Sequence, residues 1–200
     1  MNNIIGNIES IDKNNNIIMK SNTSIFYNSF YFQNFYDDKS IVSFIKNTER
    51  LIRQSKEYDG YLALIKTNYN IFTFDNILSN ISDNDADIEF HHYPFTLYEI
   101  VEIIMNYHFL KKENFTSFSI AKEVMDLHFH HLIGFVPLSK TNHQLAHSGD
   151  IFISLKQVFG NWREFMKKYD SGISQQEKKY IEKLENLTNA NFATDYKGLY

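Results

Sequence analysis

The chain has 200 residues, of which 43% are hydrophobic, 16% aromatic and 22% charged. A chain of this length and composition can bury a sizeable core, which excludes a disulfide-stapled mini-protein and a wholly disordered chain. The sequence contains no cysteine. Disulfides, iron–sulfur clusters, thiolate zinc sites and cysteine nucleophiles are therefore excluded, and any metal would be bound by carboxylates and by some of the eight histidines.

The charge pattern limits the possible partners. A formal net charge of -4 is the opposite of what a general basic field for nucleic acid requires, so any contact with DNA must be local and its nonspecific affinity weak. The first ten residues have no basic n-region and no apolar h-region, and no run of about 18 apolar residues occurs. We therefore expect an intracellular, cytoplasmic protein without a membrane partner.

The N-terminal third of the sequence predicts short strands and a helix. β-Branched and aromatic residues alternate with Asn-rich breaks from Ile4 to Tyr36, which indicates a small β element. Asp37 and Asp38 are good N-cap residues for a helix that extends to about Gln54, because apolar residues recur there at helical spacing.

The next segment predicts a hairpin and a loop. Asp59-Gly60 is typical of a turn, and the apolar runs at 61–65 and 71–74 are expected to pair as a β-hairpin. Residues 82–87 are acidic and polar and predict a loop.

The middle of the chain predicts a strand followed by two helices. Apolar and polar residues alternate in Ile88–His92, so this segment is expected to be a strand that ends near Pro94. Thr96 is expected to cap a helix that extends to Tyr107, and a second helix is predicted over 118–127. Together they form a helical insertion at about 97–130.

The last third predicts a strand and three helices. An apolar strand at 134–138 is followed by a helix that begins after Ser139 or Thr141 and ends at Gly149. Beyond it, the apolar spacing predicts one amphipathic helix over 153–166 and another over 175–187. The tail from Asn189 to Tyr200 is expected to be loosely ordered.

Four of the histidines have the spacing of a metal site. His143 and His147 lie four residues apart on the predicted helix, so their Cβ atoms are roughly 6 Å apart and both rings can converge on one ion. His91 and His92 are neighbours on a strand and point to opposite faces, so one can bind the ion while the other does something else. An unligated imidazole that titrates near 6.5 is suited to deprotonating an attacking water.

These residues resemble a known family. Glu89–Pro94, with the order Glu-Phe-His-His-Tyr-Pro, and Pro137–Gly149, with His-x-x-x-His on its helix, look like the HNH (His-Me finger) endonucleases, and in particular like the ββα-metal motif of the DNase-type colicins. The resemblance covers about twenty residues. It implies that His91, His143 and His147 are metal ligands, that His92 is the general base, and that Glu89 is a supporting carboxylate.

The resemblance also implies a fold and a function. The fold class is α+β, with a ββα-metal finger, a helical insertion, a small N-terminal β element and C-terminal helices. The expected regions are 1–80, with the β element and first helix, 81–150, with the HNH-like finger, and 151–200, with the C-terminal helices and tail. One domain with insertions is favoured over two separable ones.

The implied activity is metal-dependent DNA endonuclease, in a product of a phage or another mobile element. One divalent ion is expected; three imidazoles suit Zn²⁺ or Ni²⁺, whereas activity could require Mg²⁺ or Mn²⁺. Lys140 is the candidate phosphate contact, because it lies at the N-terminus of the metal helix. Since nonspecific affinity for DNA is expected to be weak, a homodimer or a protein partner would have to add affinity.

The sequence departs from the family pattern at two points. Gly134 stands where the family has a supporting Asn, and 50 residues separate His92 from His143, roughly twice the spacing of the compact motif. A longer surface loop costs little, because each doubling of its length adds only about 0.6 kcal/mol of closure entropy. The loss of the Asn leaves open whether the finger is catalytic.

Two alternatives therefore stand beside the nuclease. The chain could keep the finger as a closed zinc site in an interaction or inhibitor module, or it could be a globular scaffold without metal. The histidines of the insertion are also open: they could replace the missing Asn, bind a second ion, or be solvated at a helix end; these are His128, His130 and His131.

Overall fold

The structure, a computed structural model, describes residues 7–11, 17–20, 38–69, 71–78 and 80–190. The described part is predominantly helical with two small antiparallel sheets, so the expected α+β class is observed. The elements in chain order are β1 (Asn7–Ile11), β2 (Ile17–Lys20), α1 (Asp38–Arg53), α2 (Lys56–Tyr69), β3 (Ile88–His92), α3 (Leu97–Leu110), α4 (Ser117–Phe129), β4 (Phe135–Ser139), α5 (Lys140–Ser148), α6 (Trp162–Lys168) and α7 (Gln175–Ala190).

One hydrophobic cluster holds most of these elements together. Helix α1 packs against α3 and α4 and buries Phe44, Ile45 and Ile52 on one face, which is the helical period that the sequence predicted. The same cluster continues through the β3–β4 sheet to Trp162 and Leu184 in the C-terminal helices. The division of the chain at residues 80 and 150 stays a prediction.

The helical insertion between the two strands of the second sheet is present as α3 and α4. Both helices begin with a capping box, in which the side chain of an N-cap threonine accepts a hydrogen bond from the backbone N–H of the third helical residue, and the side chain of that residue accepts one from the backbone N–H of the threonine. The pairs are Thr96 with Glu99 and Thr116 with Ser119. These caps fix where each helix starts. Helices α3 and α4 also pack against α1 and against each other, so the insertion is part of the folded core.

The predicted hairpin at 61–65 and 71–74 is wrong. Residues 61–65 belong to helix α2, and Asp59-Gly60 lies inside this helix rather than at a turn. Tyr58, Tyr61 and Ile65 are buried, and their spacing of three and four residues places them on one helical face. Burial of this face therefore outweighs the turn propensity of the Asp-Gly pair.

The single helix predicted over 153–166 is also wrong. A short 3₁₀ turn at Leu155–Gln157 is followed by an extended segment, and helix α6 begins only at Trp162. Phe159 forms an isolated antiparallel bridge with Phe135, and Gly160 has a φ of 89°, in the left-handed region. The bridge extends the β3–β4 sheet and prevents a continuous helix.

The two ends of the chain are described in part. Strands β1 and β2 pair antiparallel, which confirms a β element near the N-terminus, while the rest of the predicted Ile4–Tyr36 element lies outside the described residues. Asn189 and Ala190, predicted as tail, continue helix α7; residues 191–200 lie outside the described part. Among the described helices, none combines the length and the apolar character that crossing a bilayer demands.

Candidate metal centre

Strand β3, strand β4 and helix α5 bring three of the predicted histidines together. The strands pair antiparallel with Ile88 opposite Ser139, and α5 begins directly where β4 ends, so the helix packs against both strands. The ring centroids of His91, His143 and His147 lie 4.7 to 4.9 Å apart. One possible ligand atom from each of the three lies within 4.8 Å of the other two.

The strand and the helix each explain part of this geometry. Neighbouring residues of a strand point to opposite faces, so His91 faces α5 while His92 faces the other side of the sheet. His143 and His147 are one helical turn apart, and their Nε2 atoms are 3.0 Å apart. Four nitrogens placed tetrahedrally around an ion at 2.0–2.1 Å would be roughly 3.3 Å from one another, so this pair needs only a small adjustment.

The protonation of His91 suits a metal ligand. Nδ1 of His91 is buried and has no hydrogen-bond partner among the described residues, which is costly unless a ligand satisfies it. Burial, with smaller contributions from His143 and His147, lowers the pKa of His91 to about 3, so its ring is neutral at pH 7 and keeps a lone pair. Burial also lowers the pKa of His147.

Within the described part of the chain, the three rings differ in exposure, and the site is exposed on the side of His147. His91 is only 6% exposed, His143 is half-buried and His147 is exposed. Among the described residues, no fourth histidine or carboxylate joins the cluster. Three protein ligands and a solvent-facing side are typical of catalytic zinc sites, whereas structural sites are closed by four protein ligands.

Glu89 supports the site from outside it. Its Oε2 is 2.5 Å from Nδ1 of His143, so Nδ1 carries the proton and Nε2 is left for an ion. This is the carboxylate–histidine arrangement that orients metal ligands and raises their basicity. The supporting role that the family resemblance implies for Glu89 stays a prediction.

Replacing Glu89 by Gln should weaken metal binding without removing it. The neutral amide keeps the size of the side chain but not its charge, and loss of such a partner typically costs 10–100-fold in metal affinity. Titration calorimetry with Zn²⁺ measures the change. Glu113→Gln is a matched control, since Glu113 contacts His108 at 2.6 Å outside the trio; equal affinities in all three proteins would contradict the assignment.

His92 lies on the opposite face of the strand. It is 6% exposed, its ring is stacked on Tyr58 at 6.2 Å, and its edge meets Phe90 at 4.7 Å. Its Nε2 is 3.0 Å from Nε2 of His128 on α4. Burial, the neighbouring His128 and Arg53 together hold the pKa of His92 well below its usual value. The predicted base is thus a buried, neutral imidazole with another histidine at its Nε2 edge.

The remaining predicted residues lie outside the trio. Lys140 is exposed at the start of α5, where its backbone N–H donates to Asp87 O at 3.2 Å. His130 is exposed, and its Nδ1 contacts Asp126 O at 2.6 Å. His131 has a φ of 56° and ends the insertion.

The structure explains the glycine at position 134. A Cβ atom there would lie 2.2 Å from the carbonyl oxygen of Tyr93 and 3.0 Å from side-chain atoms of Val158 and Trp162. The backbone of Gly134 also accepts a hydrogen bond from the N–H of Tyr93 at 3.0 Å. The end of β3 and the segment before α6 therefore pack so closely on this position that an asparagine would displace the backbone.

Sequence reasoning missed Asp75, which anchors the start of helix α5. Its side chain accepts hydrogen bonds from the backbone N–H groups of Ile77, Leu78 and Ser139 and from Nδ2 of Asn142, at 2.7 to 2.9 Å. Asp75 is 1% exposed. Burial alone would raise the pKa of this carboxyl, but the hydrogen bonds outweigh it and the pKa is lowered. The signal in the sequence was only an isolated Asp-Asn pair between apolar residues.

Asp75→Ala should destabilise the protein by about 3–5 kcal/mol, because it leaves several buried N–H donors without an acceptor. Chemical denaturation measures the loss. Asp83→Ala, which removes an exposed carboxylate from the neighbouring loop, is the matched control and should leave the unfolding midpoint nearly unchanged. Similar midpoints for both variants would refute the anchoring role of Asp75.

The chain matches the model of the bacteriophage G278-like virion protein family over residues 1–198. Since the match covers nearly the whole sequence, this protein belongs to that family, and the expected phage association is confirmed. No curated protein and no solved structure matches it.

Proposed function

We propose that this phage virion protein binds one divalent ion through His91, His143 and His147 and hydrolyses phosphodiester bonds of DNA there, in the manner of the HNH endonucleases. The observation that supports the proposal most strongly is the cluster of three imidazoles on β3 and α5, in which Glu89 contacts His143 and His147 is exposed. A divalent ion in such a site supplies Lewis-acid stabilisation of the phosphorane charge.

Metal binding, support of a ligand and proton abstraction are assigned to different residues of the proposed site. His91, His143 and His147 hold the ion, and Glu89 orients His143 through Nδ1. His92 is the proposed general base, which takes a proton from the attacking water. Its Nε2 edge is occupied by His128, so water has to reach it from the Nδ1 edge.

DNA would be held mainly by local contacts. Lys140 is the proposed phosphate contact, at the N-terminus of the metal helix. A cavity of about 420 Å³ next to α5 is lined by Tyr93, Ala146, Asp150 and Lys183, among others. Because the net charge is -4, weak affinity is expected, and a second copy or a protein partner is proposed to add to it.

A second function is favoured by the burial of His92. If water cannot reach the ring of His92, the chain is an inactive metal-finger protein that serves as an interaction or inhibitor module in the virion. Among the described residues only three ligands are within reach of one ion, which argues against this alternative, because a purely structural ion is normally coordinated by four protein ligands.

Plasmid nicking separates the two functions. Supercoiled DNA is incubated with the full-length protein and Mg²⁺, Mn²⁺, Zn²⁺ or Ni²⁺, and a parallel reaction contains a chelator. The nuclease proposal expects open circles with at least one ion and none with the chelator. Tight ion binding without nicking under any condition would contradict the nuclease and support the alternative.

A further inference from the structure

The helical insertion supplies the partner of the proposed base. His128 lies on α4, 36 residues after His92, and is fully buried. The two rings meet almost at right angles with their centroids 5.3 Å apart. Tyr58 packs against both rings, and Tyr61 meets the edge of His128 at 5.0 Å. An aromatic enclosure therefore holds this pair in one orientation.

The hydrogen bonds decide which nitrogen carries each proton. Nδ1 of His128 is 2.7 Å from the carbonyl oxygen of Val124, and a carbonyl can only accept, so the proton of His128 is on Nδ1. In a neutral ring its Nε2 is then a bare acceptor. The contact of 3.0 Å between the two Nε2 atoms consequently needs a proton on Nε2 of His92, which leaves the lone pair of His92 on Nδ1.

The surroundings keep both rings neutral. Among the described residues, no carboxylate forms a hydrogen bond or ion pair with either imidazole, and the groups packed on them are the phenols of Tyr58 and Tyr61 and the ring of Phe90. The contact between the two Nε2 atoms is therefore a hydrogen bond with a single proton, which Nε2 of His92 donates to Nε2 of His128.

We propose that His128 is a positioning residue: it fixes His92 as the Nε2–H tautomer and so presents the lone pair of Nδ1 for abstraction of the proton from water. The tautomer stands on the hydrogen bonds alone, whereas its part in turnover rests on the proposed function.

Nitrogen-15 spectra of the histidine rings test the tautomer directly. Full-length protein labelled with ¹⁵N-histidine and saturated with Zn²⁺ is recorded by long-range proton–nitrogen correlation, which distinguishes protonated from bare ring nitrogens. We expect His92 to show a protonated Nε2 and a bare Nδ1, and His128 the reverse. A bare Nε2 on His92, or a doubly protonated ring, would overturn the proposal.

Two variants of His128 test its role in turnover. His128→Gln keeps an oxygen that can accept from His92, whereas His128→Phe keeps an aromatic ring but has no acceptor. We expect the Phe variant to nick DNA roughly 100-fold more slowly with unchanged Zn²⁺ affinity, and the Gln variant to recover most of the rate, since a general base is worth about 10²–10⁴-fold. His130→Phe, at the exposed end of the same helix, is the matched control.

The outcomes separate the two proposals. If His92→Ala is inactive but His128→Phe nicks at the wild-type rate, the positioning role is wrong and the nuclease proposal stands. If the wild-type protein nicks nothing, the proposed function and the catalytic role of His128 both fail. If His128→Phe does not fold, His128→Gln is used in its place. The proposal then requires that His92 in this variant has the same tautomer as in the wild type.

Discussion

Alanine at position 143 is expected to abolish both metal binding and DNA nicking. His143 supplies one of the three imidazoles, at 4.8 Å from His91 and 4.7 Å from His147 between ring centroids, and its removal leaves two ligands. The loss of Zn²⁺ affinity should exceed the 10–100-fold that removal of a supporting residue typically costs. Elemental analysis of the purified protein and calorimetry measure it.

His130→Ala is the control for this variant. His130 is exposed at the end of α4 and lies outside the trio, so its removal should leave one equivalent of ion bound. The metal assignment would be wrong if His143→Ala bound Zn²⁺ as tightly as His130→Ala.

His92→Ala is expected to retain the ion and to lose nicking activity. The ring faces away from the trio, so its removal leaves all three proposed ligands in place, while loss of a general base lowers a rate by about 10²–10⁴-fold. Plasmid nicking under single-turnover conditions measures the rate, and calorimetry measures the retained ion.

Because His92 is buried, its truncation also removes packing against Tyr58 and Phe90. His92→Gln is the second variant, since it preserves most of the volume and can still donate to His128, but an amide is not a base. Both variants should be equally inactive. Wild-type nicking by a folded His92→Gln protein would show that His92 is not the base.

The sequence could predict the trio because its spacing is local. Alternation in a strand separates His91 from His92, and the helical repeat brings His143 to His147. The family resemblance then implied that the strand and the helix meet. The partner of His92 could not be predicted, because it depends on how α4 lies against the sheet, and the sequence around His128 is equally typical of an exposed helix end.

The two mistaken elements have a common cause. Local propensity favoured a turn at Asp59-Gly60 and a continuous helix across Gly160, but tertiary packing decided both segments. Tyr61 is buried against the aromatic cluster at His128, which requires helix, and Phe159 pairs with Phe135, which requires extended chain. Asp75 escaped notice for the same reason, since two of the groups that donate hydrogen bonds to its carboxylate, on Ser139 and Asn142, are 64 and 67 residues away.

Anomalous diffraction at the zinc absorption edge, from crystals of the full-length protein grown with Zn²⁺, tests the metal site most directly. We predict one strong peak within about 2.0–2.1 Å of a nitrogen from each of His91, His143 and His147. An anomalous map without a peak between these three rings would contradict the proposed metal site, whether zinc is bound elsewhere in the protein or not at all.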